Sequence, residues 1–180
     1  NEYEWMNQLG TSGNDDVKAI AMAPDGSIFY TGNFGGEVGE ILPQGSFDVY
    51  LRKVDSSGQT VWTRSLPAPN WAVPTALVVD PISGNLIIGI NFSGTIDANP
   101  DPGTSLVIGS GGSASEGSLI LCLSSSGNYL WHRYTKHSLL SDICLSAGNS
   151  LSVVGATGAD YGNFNGGILA TNANISSFSF

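Results

Sequence analysis

Apolar residues in this chain do not recur at helical spacing; they come in short runs rich in Val, Ile, Leu and aromatics, each closed by Gly, Asn, Asp or Ser. That pattern predicts strands joined by tight turns. The clearest stretch is Phe47 to Trp62, where β-prone residues flank Asp55-Ser56-Ser57-Gly58 and Gly58 supplies the positive φ that such a turn needs. A shift of 69 residues carries this hairpin onto Leu119 to Trp131, placing Gly58 on Gly127 and Trp62 on Trp131. A shift of 118 gives a weaker third copy, Ile168 to Phe180, with Phe180 in the Trp place.

A second hairpin precedes each of these. Val17 to Phe34 reads as strand, Asp25-Gly26 turn, strand; Thr75 to Phe92 and Asp142 to Thr157 follow the same plan. Two hairpins per copy make a unit of four strands, and recurrence of such a unit is the signature of a repeat architecture. The chain is expected to form one domain over 1–180, with units at 9–65, 66–134 and 135–180. Residues 1–8 resemble the last strand of an absent unit, since Glu4-Trp5-Met6-Asn7 matches the strands that carry Trp62 and Trp131. Pro67, Pro69 and Pro74 mark a connector carrying Trp71. The segment from Ser93 to Gly117 reads as a long loop, and 158–166 as a shorter one holding Tyr161 and Phe164.

Composition agrees with a turn-rich all-β protein: 24 Gly in 180 residues, 41% hydrophobic and only 12% charged. That is enough apolar material for a substantial core. Fifteen acids against six bases leave a formal charge of −9, which opposes nucleic-acid phosphates and anionic membranes. No apolar run reaches the roughly 20 residues of a membrane helix, and the N-terminus lacks a basic-then-apolar leader pattern, as a mature or truncated end would. Cys122 and Cys144 both lie in apolar strands. They read either as buried free thiols or as a disulfide between units two and three, the latter pointing to an oxidising compartment.

Four-stranded units with Gly-closed turns and a recurring Trp suggest propeller blades. Trp5 with Gly10, Asn14-Asp15-Asp16, Asp25 to Gly32, and Asp48 to Trp62 with its Lys53, Asp55 and Gly58 form a pattern that closely resembles the bacterial β-propeller repeat known as SBBP. Unit two has Cys122 where the pattern has Lys, and unit three lacks its Lys, Asp, Gly and Trp. The resemblance implies an all-β, propeller-like array of about three four-stranded blades, either part of a longer propeller or completed by another chain or segment. It also implies a secreted or cell-surface protein with no shared catalytic residue set.

The candidate chemistry is sparse. Recurring Trp residues could stack on sugars or pack between neighbouring units, and recurrence favours packing. Trp71, Tyr161 and Phe164 fall outside the repeated frame and are the candidate ligand contacts. Asp97, Asn99 and Asp101, at alternate positions before Gly103, could curl round calcium; Ile108 stands where an EF-hand would need Glu, and the alternative is an Asx-rich turn. His132 and His137, with Lys136, form the one imidazole cluster, expected as exposed strand ends. Asn91-Phe92-Ser93 and Asn174-Ile175-Ser176 fit the glycosylation pattern within or beside strands. The expected function is a secreted or cell-surface recognition or adhesion module without catalytic activity, binding protein or glycan and not nucleic acid. The alternative is an assembly unit that exchanges strands into a homo-oligomeric ring or fibre, since three blades fall below the usual four to eight.

Overall fold

The computed structural model describes residues 5–8, 10, 12–36, 47–109, 116–146, 150–157 and 173–174, which are all-β, without a helix. Four antiparallel sheets account for the strands. The first is a meander of β1 (Asp16–Met22), β2 (Ile28–Phe34), β3 (Asp48–Val54) and β4 (Thr60–Leu66) in sequence order. The second holds β5 (Trp71–Val79), β6 (Leu86–Ser93), β9 (Glu116–Leu123) and β10 (Tyr129–Lys136), with β7 (Thr95–Asp97) and β8 (Val107–Gly109) paired as a separate hairpin between β6 and β9. The third has β11 (Ser138–Leu145), β12 (Ser150–Thr157) and the short β13 (Ala173–Asn174).

Local chemistry explains the turns. Asp25 Oδ1 accepts the Ser27 N–H at 2.9 Å, Asp55 Oδ1 those of Ser57 and Gln59 at 2.9 and 3.0 Å, and Asp80 Oδ1 that of Ile82 at 2.9 Å. Each Asp closes its turn with its own side chain. Irregularities recur in register as well. The first strand of each of the three larger sheets skips one residue opposite the second strand: between Val17 and Ala19, Pro74 and Ala76, and Leu140 and Asp142. The third and fourth strands of the first two sheets skip Val61 and Leu130 just before Trp62 and Trp131. These are β-bulges, which re-aim a strand without ending it.

The sheets pack face on face. On β6, Leu86, Ile88, Ile90 and Phe92 join Leu119, Leu121 and Leu123 of β9 against Phe29, Val49, Leu51, Trp62 and Leu66 of sheet one. The residues of opposite parity, Ile87, Ile120 and Cys122, with Ala76, meet Leu140, Ile143, Leu151 and Val153 of sheet three. Sheet two is buried on both faces, which is why its central strands are almost continuously apolar.

Several expectations change. The connector is shorter than the prolines suggest: β5 begins at Trp71 and contains Pro74, which borders the bulge, where a missing ladder donor is tolerated. Ser93 to Gly117 is not one open loop, because the β7–β8 hairpin buries Ile96, Ala98 and Ile108 in the core shared by sheets one and two. Residues 5–8 form no ladder; they meet the β3–β4 turn through Trp5 and Asn7 side chains. In sheet three Ala173 faces Leu151, as Val54 faces Ile28 and Leu123 faces Leu86, one residue away from where the 118-residue shift sets it; the rest of Ile168 to Phe180 lies outside the described residues. β11 opens at Ser138, with His137 at φ 52 the single residue between it and the end of β10.

Candidate binding cleft

Two kinds of side chain tie one sheet to the next. Asn33, at the end of β2, donates its amide to the Ala72 carbonyl on β5. Asn91, in the matching place on β6, donates to the Leu140 carbonyl at 2.8 Å and accepts the Leu140 N–H at 2.8 Å. The second tie is the indole. Trp62 Nε1 donates to the Ser125 carbonyl at 3.1 Å, and a Cβ on Gly127 would lie 3.1 Å from its ring. Trp5 repeats this on the previous turn, donating to the Ser56 carbonyl at 3.1 Å with a Cβ on Gly58 only 2.6 Å from its ring. Gly58 and Gly127 both sit at positive φ, 83° and 81°, so the turn and the indole ask for Gly at the same residue.

These ties draw the first strands together: β1 lies against β5 and β5 against β11, and among the described residues no comparable contact joins β4 to β10. Where β1 and β5 meet, a cleft of about 240 Å³ opens at one end of the sheets. Asn14, Asp15, Asp16, Lys18, Asn33, Phe47 and Val73 line it. Lys18 Nζ lies 2.7 Å from Asp16 Oδ2, and Asp16 Oδ1 accepts the Asn33 N–H at 3.3 Å. Below them the Tyr50 hydroxyl donates to the Asp16 carbonyl at 3.1 Å, and burial raises its pKa well above the phenolic range. Phe47, 40% exposed, is fixed through its backbone, whose carbonyl accepts the Ala72 N–H at 3.2 Å. The cleft therefore combines acceptors, an ammonium donor and a partly open aromatic ring on a rigid base.

Sequence reasoning singled out Trp71, which stands near this cleft but does not line it. It is half-buried in β5, paired with Ser93 and bridged to Phe47, so it lies inside the sheet and not outside the repeated frame. Tyr161 and Phe164 lie outside the described residues. The cleft residues themselves were missed, apart from Asn14-Asp15-Asp16 as part of the repeat pattern. They come from chain positions far apart, and nothing local marks Phe47 or Val73.

The loop from Asp97 to Asp101 turns its oxygens inward. Asp97 Oδ1 accepts the N–H groups of Asn99 and Leu106 at 3.0 and 2.8 Å, Asn99 Oδ1 accepts that of Asp101 at 3.0 Å, and the Asp101 carboxylate accepts that of Tyr129 at 3.3 Å. These are Asx-turn bonds, and the one from Tyr129 ties the loop to the start of β10. Among the described residues no group of three or more His, Cys, Asp or Glu could hold a metal ion.

His132 is not an exposed strand end: it is half-buried in β10, its Nδ1 2.8 Å from the Tyr129 hydroxyl, and burial followed by Arg133 lowers its pKa. His137 is exposed. Both cysteines are free; Cys122 is buried, its thiol pushed up to about 12 by burial and then by Asp80, whereas Cys144 is exposed and not in the core as expected. Asn91 of the first glycosylation pattern is held between sheets two and three. Trp62 packs between sheets and offers no open stacking face. No protein-family model matches the chain, and no curated protein matches it.

Proposed function

We propose that this chain is a propeller-type repeat scaffold of the SBBP kind that acts by binding at a cell surface or in the extracellular medium, without catalysis. The observation that carries the reading is the recurrence of one joint: Trp62 on the Gly127 turn and Trp5 on the Gly58 turn, with first-strand bulges in the same register in the three larger sheets. Closer contact among first strands than among fourth strands, in the described residues, supports blades that splay from a common axis. Val17, Ile20 and Met22 expose 59%, 67% and 73% of their surface on the outer face of sheet one, in the register where sheet two places Pro74, Leu77 and Val79 against its neighbour. Such a face fits a further blade.

Binding is tested with the labelled chain on a glycan array and a panel of purified surface proteins. Saturable retention without turnover of the retained ligand supports the reading; turnover, or no retention on either surface, overturns it.

Strand exchange between copies is the second reading, favoured by residues 5–8, which dock Trp5 and Asn7 on the Gly58 turn without joining a ladder. Light scattering before and after removal of residues 1–8 tests it. An oligomer that becomes monomeric supports exchange, and a monomer unchanged by the truncation rules it out.

A further inference from the structure

We infer that the cleft between β1 and β5 binds an uncharged saccharide ring; this rests on the recognition reading above and gives it a site and a ligand class. Sugar hydroxyls donate and accept at once, so a site for them needs both kinds of partner within reach of one ring. Asp15 and Asp16 bring acceptors, Lys18 and Asn14 bring donors, and all four line the same cleft. Phe47 lines the same cleft with 40% of its surface open, and can offer an apolar face to the C–H side of the ring.

Charge narrows the ligand further. Two carboxylates in a chain of net charge −9 repel anionic sugars. Amines are disfavoured by the Lys18 ammonium, which already neutralises Asp16 at 2.7 Å. What remains is a neutral polyol. The cleft holds about 240 Å³, smaller than the roughly 300–1,000 Å³ of sites for drug-sized ligands, and suits one ring at a time.

The site is also preorganised. Asn33, 5% exposed, is locked by its backbone bond to Asp16 and its amide bond to Ala72, so the two sheets that form the cleft are fixed to each other before any ligand arrives.

Amide NMR spectra of the whole chain, titrated with glucose, galactose, mannose and N-acetylglucosamine, test the assignment, with glucuronate and glucosamine as charged counterparts. At least one neutral sugar is expected to give saturable shifts centred on Asn14 to Lys18, Phe47 and Val73, with the charged rings and the Phe47→Ala variant weaker by about tenfold. Where Phe47→Ala does not fold, Asp15→Asn at unchanged thermal midpoint is expected to show the same loss. Shifts that map elsewhere overturn the site and leave surface recognition standing. Glucosamine binding tighter than glucose, or no saturable shift from any neutral sugar at tens of millimolar, overturns the ligand class, whereas failure on both array surfaces overturns the recognition reading itself.

Discussion

The side-chain amide of Asn91 pairs with the backbone of Leu140 as a second strand would, donating to its carbonyl and accepting its N–H, both at 2.8 Å. Ser118 completes the joint: its hydroxyl oxygen accepts the Leu140 N–H at 3.0 Å and lies 2.8 Å from both Asn91 Oδ1 and the Ser138 carbonyl, either of which can take its one proton. A single carboxamide thus replaces a β-ladder where two sheets must meet face to face.

Asn91→Ala takes the donor from the Leu140 carbonyl and leaves the Leu140 N–H with Ser118 Oγ as its acceptor between the sheets. A loss of about 1–3 kcal/mol is expected, read as a lower urea midpoint at unchanged slope. Asn91→Asp keeps the acceptor but sets a charge against the Leu140 carbonyl. Its extra loss should shrink as the pH falls and the new carboxyl is protonated. Equal loss from both variants at all pH values would contradict the pairing.

Gly127 serves both the turn, at φ 81°, and the Trp62 ring. Gly127→Ala is expected to cost more than about 1 kcal/mol, since strain at positive φ adds to displacement of a ring with little room to move. Trp62→Ala should cost about 3–5 kcal/mol as a large aromatic lost from the core. Gly58→Ala, by contrast, should release Trp5, changing tryptophan fluorescence with a smaller effect on the unfolding midpoint. Matching midpoint losses at Gly58 and Gly127 would show that residues 5–8 are as firmly seated as β4.

Ile96 and Ala98 are fully buried at the base of the β7–β8 hairpin. Ile96→Ala is expected to cost about 2–5 kcal/mol. Deleting Pro100 to Gly112, which removes Ile108, should lower the thermal midpoint and not pass as a neutral loop trim. Asp97→Ala should cost about 1–3 kcal/mol in chelator, because two backbone N–H groups lose their acceptor. Calcium is expected to leave the wild-type midpoint unchanged, and a rise reversed by chelator would show a site that the turn geometry does not account for.

The two thiols should separate cleanly. In native protein near neutral pH, Cys144 reacts with a thiol reagent and Cys122 reacts only on unfolding. With its folded pKa pushed up to about 12 from 9.0, Cys122 binds its proton more tightly in the folded state. Its contribution to stability is whole below the unfolded value and is lost as pH rises from there through the folded value. Cys122→Ala should flatten that alkaline limb; the same limb in the variant would assign it to another group. At the acid end, the hydroxyl of Ser57 first and the backbone N–H of Gln59 next hold Asp55 below its ordinary value. Asp55→Asn should therefore reduce the fall in stability as pH drops through the carboxylate range.

The hairpins were legible in the sequence because their causes are local. Asp55 and Gly58 lie within one turn, the former bonding to its own backbone and the latter taking the φ that other residues resist. Apolar runs on both sides supplied the strands. Tertiary structure alone decided where each side chain is buried. Cys122 and Cys144 have similar apolar neighbours in sequence, yet sheet three covers the first and leaves the second exposed. Pro74 looked like a break until the bulge beside it removed the need for its missing N–H. Asp16, Asn33, Phe47 and Val73 carry no shared local signal and become one cleft only when β5 is laid against β1. Turn formation depends on a few adjacent dihedrals, whereas burial and convergence depend on which distant face arrives, and a chain read residue by residue carries the first in full and the second only in the parity of its strands.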